Sequence, residues 1–232
     1  MGGWRRLWGW RRRLYKAHRA CRLEDPRPLY LEAPYTFEKP SAEKLAAIAP
    51  GDIVKAIFLP TMKGTEEATE RMWVAITGVN GNSLEGLLDN DPLEIPGLLA
   101  GDPIKLKRWH VINVDFQDPA QNRRYAGRER AYWDRCLVDD CVLYEDRKVH
   151  YVYREKPNMG SEDDEYPDSG WRIRGDWRGL SDEEIDQRPA SYVALGAVLN
   201  QDDSWLHLID EPAGSAFIRD WRDGKFDLPD PE

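Results

Sequence analysis

Cysteine is scarce in this chain, with three residues in 232. Cys21, Cys136 and Cys141 are odd in number and follow no framework spacing, which excludes a disulfide scaffold and fits a reducing compartment. Histidine is nearly as rare. His18, His110, His150 and His207 are scattered, and Cys136 and Cys141 have no second pair to complete four ligands, so a structural metal is not expected. The two thiols read as small buried hydrophobes. No apolar run approaches the roughly 18–20 residues of a membrane span. The phosphate-cradling P-loop, the G-x-G-x-x-G fingerprint and the G-x-S-x-G elbow are all missing. Ser215 in "PAGSAF" is a turn serine leading into a strand, and "DGKFD" at 223 has too few oxygens for a calcium loop and reads as a hairpin tip. The many carboxylates do not by themselves make a hydrolase. The expectation is therefore a non-enzymatic protein without cofactor.

Charge and tryptophan are plentiful. Ten tryptophans and a globular share of apolar residues argue for a folded chain. The net charge of −9 conceals an asymmetry: residues 1–32 hold nine Lys/Arg against three Asp/Glu, whereas residues 139–232 hold eleven against twenty-four. A body so acidic repels nucleic acid and favours cationic partners. The opening "MGGWRRLWGWRRRLYKAHRACR" places Trp4, Leu7, Trp8, Trp10, Leu14 and Tyr15 on one broad helical side, interrupted by Arg11. Trp4, Trp8, Arg5 and Arg12 would make its contact with an anionic membrane surface or a partner; the plainer reading is a frayed tail. The segment has neither a continuous secretion-signal core nor a myristoylation pattern.

Further along, "SAEKLAAIAPGD" predicts a helix capped by Ser41, and "DIVKAIFLP" a strand. "MWVAITGVNGNSLEGLLDN" predicts a hairpin from Met72 to Val79 and Ser83 to Leu88 around a type I′ Asn80-Gly81 turn. "PIKLKRWHVINVDF" adds one or two strands, and the Gly-Asp turns at 51 and 101 reuse one device. "DPAQNRRYAGRERAYWDRC" predicts a connecting helix with Tyr125, Tyr132, Trp133 and Cys136 on one face. After it come a helical turn, a strand from Val149 to Arg154, an acidic loop over 155–168 and a strand from Trp171 to Arg174. "SYVALGAVLN" and "DSWLHLID" read as short helices, and "GSAFIRD" as a closing strand. Trp73, Trp171 and Trp205 are expected in the core. Trp177 and Trp221, in acidic turn-rich segments, are either interface anchors or packed under a loop. In "YPDSGWRIRGD" Gly170 supplies a positive φ, after which Trp171 and Ile173 face the core and Arg172 and Arg174 the other side.

The run "VHYVYREKP…DSGWRIRGD…YVALGAVLN…LIDEPAGSAFIRD", over about residues 137–227, resembles the immunity protein 33 family of bacterial polymorphic toxin systems. The tyrosine-rich strand ending Arg154-Glu155, the Asp168-Ser169-Gly170-Trp171 turn and Pro212-x-Gly214-Ser215-Ala216-Phe217 carry the resemblance. Met72-Trp73-Val74 and the Gly86 to Pro92 run resemble a bacterial domain of unknown function, which implies a β-rich module and no activity. The expected fold is α+β: a basic aromatic segment and proline linker over 1–32, a β-rich module over 33–116, a connecting helix over 117–136 and an immunity-like α+β domain over 137–232. The resemblance implies a cytoplasmic, non-enzymatic immunity protein that neutralises a cognate toxin by stoichiometric occlusion. The acidic half makes a cationic toxin such as a nuclease the partner it suits. Glu162, Asp163, Asp164, Glu165, Asp168 and Trp177 are the expected contacts. The alternative is an adaptor associated with a membrane surface through residues 1–22.

Overall fold

The computed structural model describes residues 13–17, 19–61, 69–126, 131–161 and 164–229. Strands and helices are mixed, as expected for an α+β chain, and the chain divides into two compact units. The first comprises Met1–Leu31 with Glu38–Arg128; the second comprises Glu32–Phe37 with Glu129–Glu232.

The first unit is built on an antiparallel sheet of six strands: β1 (Cys21–Leu23), β2 (Ile53–Pro60), β3 (Glu70–Asn80), β4 (Ser83–Leu88), β5 (Pro103–Lys107) and β6 (Val111–Asp115). They run in the order β1-β2-β3-β4-β5, and β6 also pairs with β2. Period-two alternation sends Val54, Ala56 and Phe58 of β2 into one core with Met72, Val74 and Ile76 of β3. Helix α1 (Arg27–Glu32) precedes α2 (Ala42–Ala47), whose Ser41 cap accepts the Lys44 N–H at 3.1 Å. The reused Gly-Asp device is present in detail. Gly51 and Gly101 take φ of +101° and +78°. The carboxylates of Asp52 and Asp102 then accept the N–H three residues back, from Ala49 at 2.8 Å and Leu99 at 3.0 Å.

Several local expectations change. Asn80 pairs with Ser83, so the hairpin loop is Gly81-Asn82, and only Gly81 has a positive φ, of +56°. That pattern belongs to a II′ turn, with glycine first, rather than I′. Trp73 is half-buried, with the Lys55 ammonium 4.4 Å above its ring, instead of a core anchor. Among the described residues, the helix expected over 117–136 is confined to α3 (Pro119–Tyr125). Residues 131–136 are not helical: the carbonyls of Tyr132 and Asp134 accept the N–H groups of Gly196 and Leu195, and 127–130 lie outside the described residues. The proline-punctuated stretch is also ordered: Cys21–Leu23 joins the sheet, and Glu32–Phe37 belongs to the second unit.

The second unit carries a mixed sheet in the order β10-β7-β9-β8-β11-β12. Its strands are β7 (Arg135–Asp139), β8 (Val149–Arg154), β9 (Asp168–Gly175), β10 (Ala190–Ala194), β11 (Ala216–Arg219) and β12 (Phe226–Asp227). Only β7 and β9 are parallel. Helices α4 (Asp140–Tyr144), α5 (Asp182–Asp186) and α6 (Leu195–Gln201) accompany it. Cys136, Val138, Val152, Trp171 and Ile173 form one core with Val198, Leu199 and Trp205, and Trp171 and Trp205 meet edge-on at 5.5 Å. "SYVALGAVLN" is thus a strand followed by a helix: Ser191 to Val193 pair with β7, and the helix starts only at Leu195. In "DSWLHLID" the helical part is a single 3-10 turn, Leu206–Leu208.

Glu32–Phe37 lies against α6. The Tyr35 N–H donates to Asn200 Oδ1 at 2.9 Å, and Asn200 Nδ2 donates to Thr36 Oγ1 at 2.7 Å. A Cβ on Gly196 would stand 2.6 Å from the Tyr35 carbonyl oxygen. The Tyr35 hydroxyl donates to Asp203 at 2.7 Å, which pushes its own pKa up to about 12.

Candidate partner-binding surface

Strand β9 begins with a corner that fixes the sheet. Arg135 pairs with Asp168 but Leu137 with Arg172, so Ser169 and Gly170 bulge out of register. Gly170 takes φ of +81°, and a Cβ there would lie 2.2 Å from the Glu155 carbonyl oxygen, so the position admits only glycine. The Ser169 hydroxyl donates to the Arg135 carbonyl at 2.7 Å and ties the bulge to β7.

Asp168 locks this corner. Its carboxylate accepts the N–H groups of Gly170, Asn158 and Met159 at 3.0, 3.0 and 3.1 Å, and a two-pronged contact from Arg172 at 3.0 and 2.9 Å. Burial pushes this carboxyl up, but the Arg172 guanidinium and the three N–H donors outweigh it and hold it well below the usual carboxylate range. Arg172 is itself buried and completes its donors on Glu155 and Asn158. A second buried carboxylate, Asp139, holds Arg174 at 3.0 Å and Arg188 at 3.3 Å. These pairs fall on the side of the sheet away from the core, where alternation puts Arg172 and Arg174 opposite Tyr153 and Tyr151 of β8.

That side of the sheet is only partly covered. Tyr151 and Tyr153 are half-buried and stack at 5.4 Å. Beside them a concavity of about 660 Å³ opens between the 154–158 segment and the small residues Ala213 to Ala216. From Tyr151 the rings continue to Trp177 at 5.8 Å, then His150 at 4.3 Å, then Trp221 at 5.2 Å. Five rings from three segments thus make one continuous string. His150 accepts the Trp177 N–H at 3.4 Å and lies 3.7 Å from Asp176. Burial pushes its pKa down against the pull of Asp176, and Arg178, Arg219 and Arg188 push it the same way as burial.

The residues singled out from the sequence divide. Trp177 belongs to the ring string. Asp168 is buried, its side chain 1% exposed and its carboxylate filled by Arg172 and three backbone N–H groups, so it holds the corner rather than facing outward. Asp164 is exposed and binds back to Ser161 at 2.8 and 3.2 Å, and Glu165 is exposed beside it. Glu162 and Asp163 lie outside the described residues, as do Trp4, Arg5, Trp8 and Arg12. Sequence reasoning missed Tyr151, Tyr153 and His150, because nothing in "VHYVY" says which neighbours its outer face meets. The repeated tripeptide Asp-Trp-Arg, at 176–178 and 220–222, was a visible signal that its two tryptophans belong together.

Half-buried tyrosines and tryptophans beside arginines are residue types enriched at protein-contact surfaces. Residues 136–228 match the Immunity protein Imm33 domain, bearing out the resemblance seen over 137–227. The match takes in nearly all of the second unit's sheet, from Cys136 in β7 through β12, and leaves Glu32–Phe37 outside. No curated protein and no solved structure gave a match. Among the described residues, no group of acidic, His or Cys side chains is placed to hold a metal, and no helix is long and apolar enough to cross a membrane.

Proposed function

We propose that the second unit binds a cognate protein toxin and neutralises it by stoichiometric occlusion, and that the partner docks on the outer face of the sheet. The observation that carries this is the five-ring string from Tyr153 to Trp221, three of whose rings stand on β8 beside the buried ion pairs of β9. Aromatic anchors lose little side-chain entropy on binding and contribute most of an interface's energy. The surplus of carboxylates over residues 139–232 has a different part: it speeds the approach of a basic toxin and sets the salt dependence. Glu162 to Glu165 thus steer the encounter, while the rings hold the complex.

The test is co-expression with the toxin encoded beside this gene, followed by kinetic binding measurements. Tyr153→Ala and Trp177→Ala are expected to raise the dissociation rate at least about tenfold. Neutralising Glu162 to Glu165 together is expected to lower the association rate and flatten its salt dependence. A toxin still neutralised by the double ring variant, with unchanged dissociation, overturns the placement. No neutralisation by the native chain overturns the function.

A further inference from the structure

The two Asp-Trp-Arg tripeptides fold alike and converge. In each, the arginine N–H donates to the aspartate two residues back, at 3.1 Å for Arg178 on Asp176 and 2.8 Å for Arg222 on Asp220. The guanidinium then turns onto the same carboxylate, at 3.0 Å through Nε and 2.9 Å through Nη2 for Arg178. Their surroundings differ. The Arg178 guanidinium lies 3.7 Å over the Trp221 ring, which is a close cation–π contact. Among the described residues no ring lies under Arg222, whose side chain is 91% exposed.

Acceptor and occupant are held unequally. Asp176 is 13% exposed and anchored by its backbone, its N–H donating to the Lys148 carbonyl at 2.8 Å and its carbonyl accepting Arg188 at 2.7 Å. Trp221 is half-buried, edge-on to His150 and within 5.3 Å of Arg219, and its indole N–H meets no acceptor among the described residues. Arg178 is 55% exposed, and its guanidinium is held by Asp176 and by the Trp221 ring. A largely buried carboxylate and a half-buried ring, with a half-exposed guanidinium between them, describe a recognition site filled by its own chain.

We propose that Asp176 and Trp221 form a seat for an arginine side chain of the partner, and that Arg178 occupies it until the partner arrives. This rests on the toxin-binding reading and names the side chain that the ring string's far end receives. Arginine suits the seat because a planar fork pairs with a carboxylate while its face lies on a ring, which the lysine ammonium does not do. The acidic surplus of residues 139–232 favours such a cation at the surface.

The experiment titrates the full chain, its Arg178→Ala variant and its Arg222→Ala variant with hexa-arginine and hexa-lysine peptides near physiological salt, following the tryptophan indole N–H signals. Arg178→Ala is expected to bind hexa-arginine about tenfold tighter than the native chain, the scale of a partly desolvated cation–π contact. The Trp221 indole signal should move most, Arg222→Ala should behave as the native chain, and hexa-lysine should bind all three alike. No gain in Arg178→Ala, or an equal gain for hexa-lysine, overturns the seat. Because neutralisation in cells is read separately, the seat can fail while toxin binding stands, and the reverse.

Discussion

Replacing Asp168 with alanine removes the main partner of a buried guanidinium and strands three backbone donors at once. The Arg172 side chain is 4% exposed and the Asp168 side chain 1%, so water does not replace the carboxylate at the guanidinium. Breaking a buried pair by removing one partner costs roughly 3–5 kcal/mol. Glu155, 3.0 Å from Arg172 and 44% exposed, retains part of the guanidinium's compensation. That places the loss at the lower end, about 3 kcal/mol, even with Gly170, Asn158 and Met159 N–H groups left to find solvent. Hydrogen exchange of the full chain reads this unit by unit. Amides of β8 and β9 should exchange on the order of a hundredfold faster, since every 1.4 kcal/mol is tenfold, while those of β3 and β4 stay as they were. The double variant Asp168→Ala with Arg172→Met should recover most of the loss, because an apolar pair leaves no buried charge. Unchanged exchange in β8 and β9, or an equal change in both units, would refute the reasoning.

Three further outcomes follow from the same geometry. Acidification should destabilise the protein in two stages. His110, pushed down to about 4 chiefly by burial, and the lowered His150 withdraw stability as pH falls below the free imidazole range near 6.5. The depressed Asp168 contributes fully above about pH 4 and is lost as pH falls further; melting temperatures that stay level from pH 7 to 3 would contradict this. Gly170→Ala forces a Cβ against the Glu155 carbonyl at positive φ, and should cost about 2–3 kcal/mol, read as a lowered urea midpoint. Asn200→Ala removes both side-chain bonds to Tyr35 and Thr36, so it should cost about 2 kcal/mol and speed exchange of the Tyr35 amide; an unaltered Tyr35 amide counts against the docking of Glu32–Phe37.

The legible parts of the fold are those that a few neighbouring residues decide. Ser41 caps α2 because a hydroxyl one residue ahead of a helix meets its orphan N–H groups. Gly170 takes its positive φ, and the Gly51 and Gly101 turns repeat one geometry, because those backbones exclude a side chain. The extension of the expected helix through 131–136 and the helix read into Ser191 to Val193 mislead for the opposite reason. Both segments tolerate either conformation, and pairing with distant strands chooses between them. Asp168 shows the same limit at the candidate site. Its charge is plain in the sequence, but its position inside a ring of donors from residues 158, 159, 170 and 172 is not.

By itself the sequence determined the α+β class, the capped helix, the hairpin, the buried thiols, the glycine corner at 170 and the resemblance over 137–227. All of these rest on short-range backbone preferences or on motifs read in order along the chain. Only the tertiary structure decided that Glu32–Phe37 belongs to the second unit, that Asp168 turns inward, and that Tyr153, Tyr151, Trp177, His150 and Trp221 meet in one string of rings. Those facts depend on strand register and a two-residue bulge, which are settled by cooperative pairing and burial across the whole sheet.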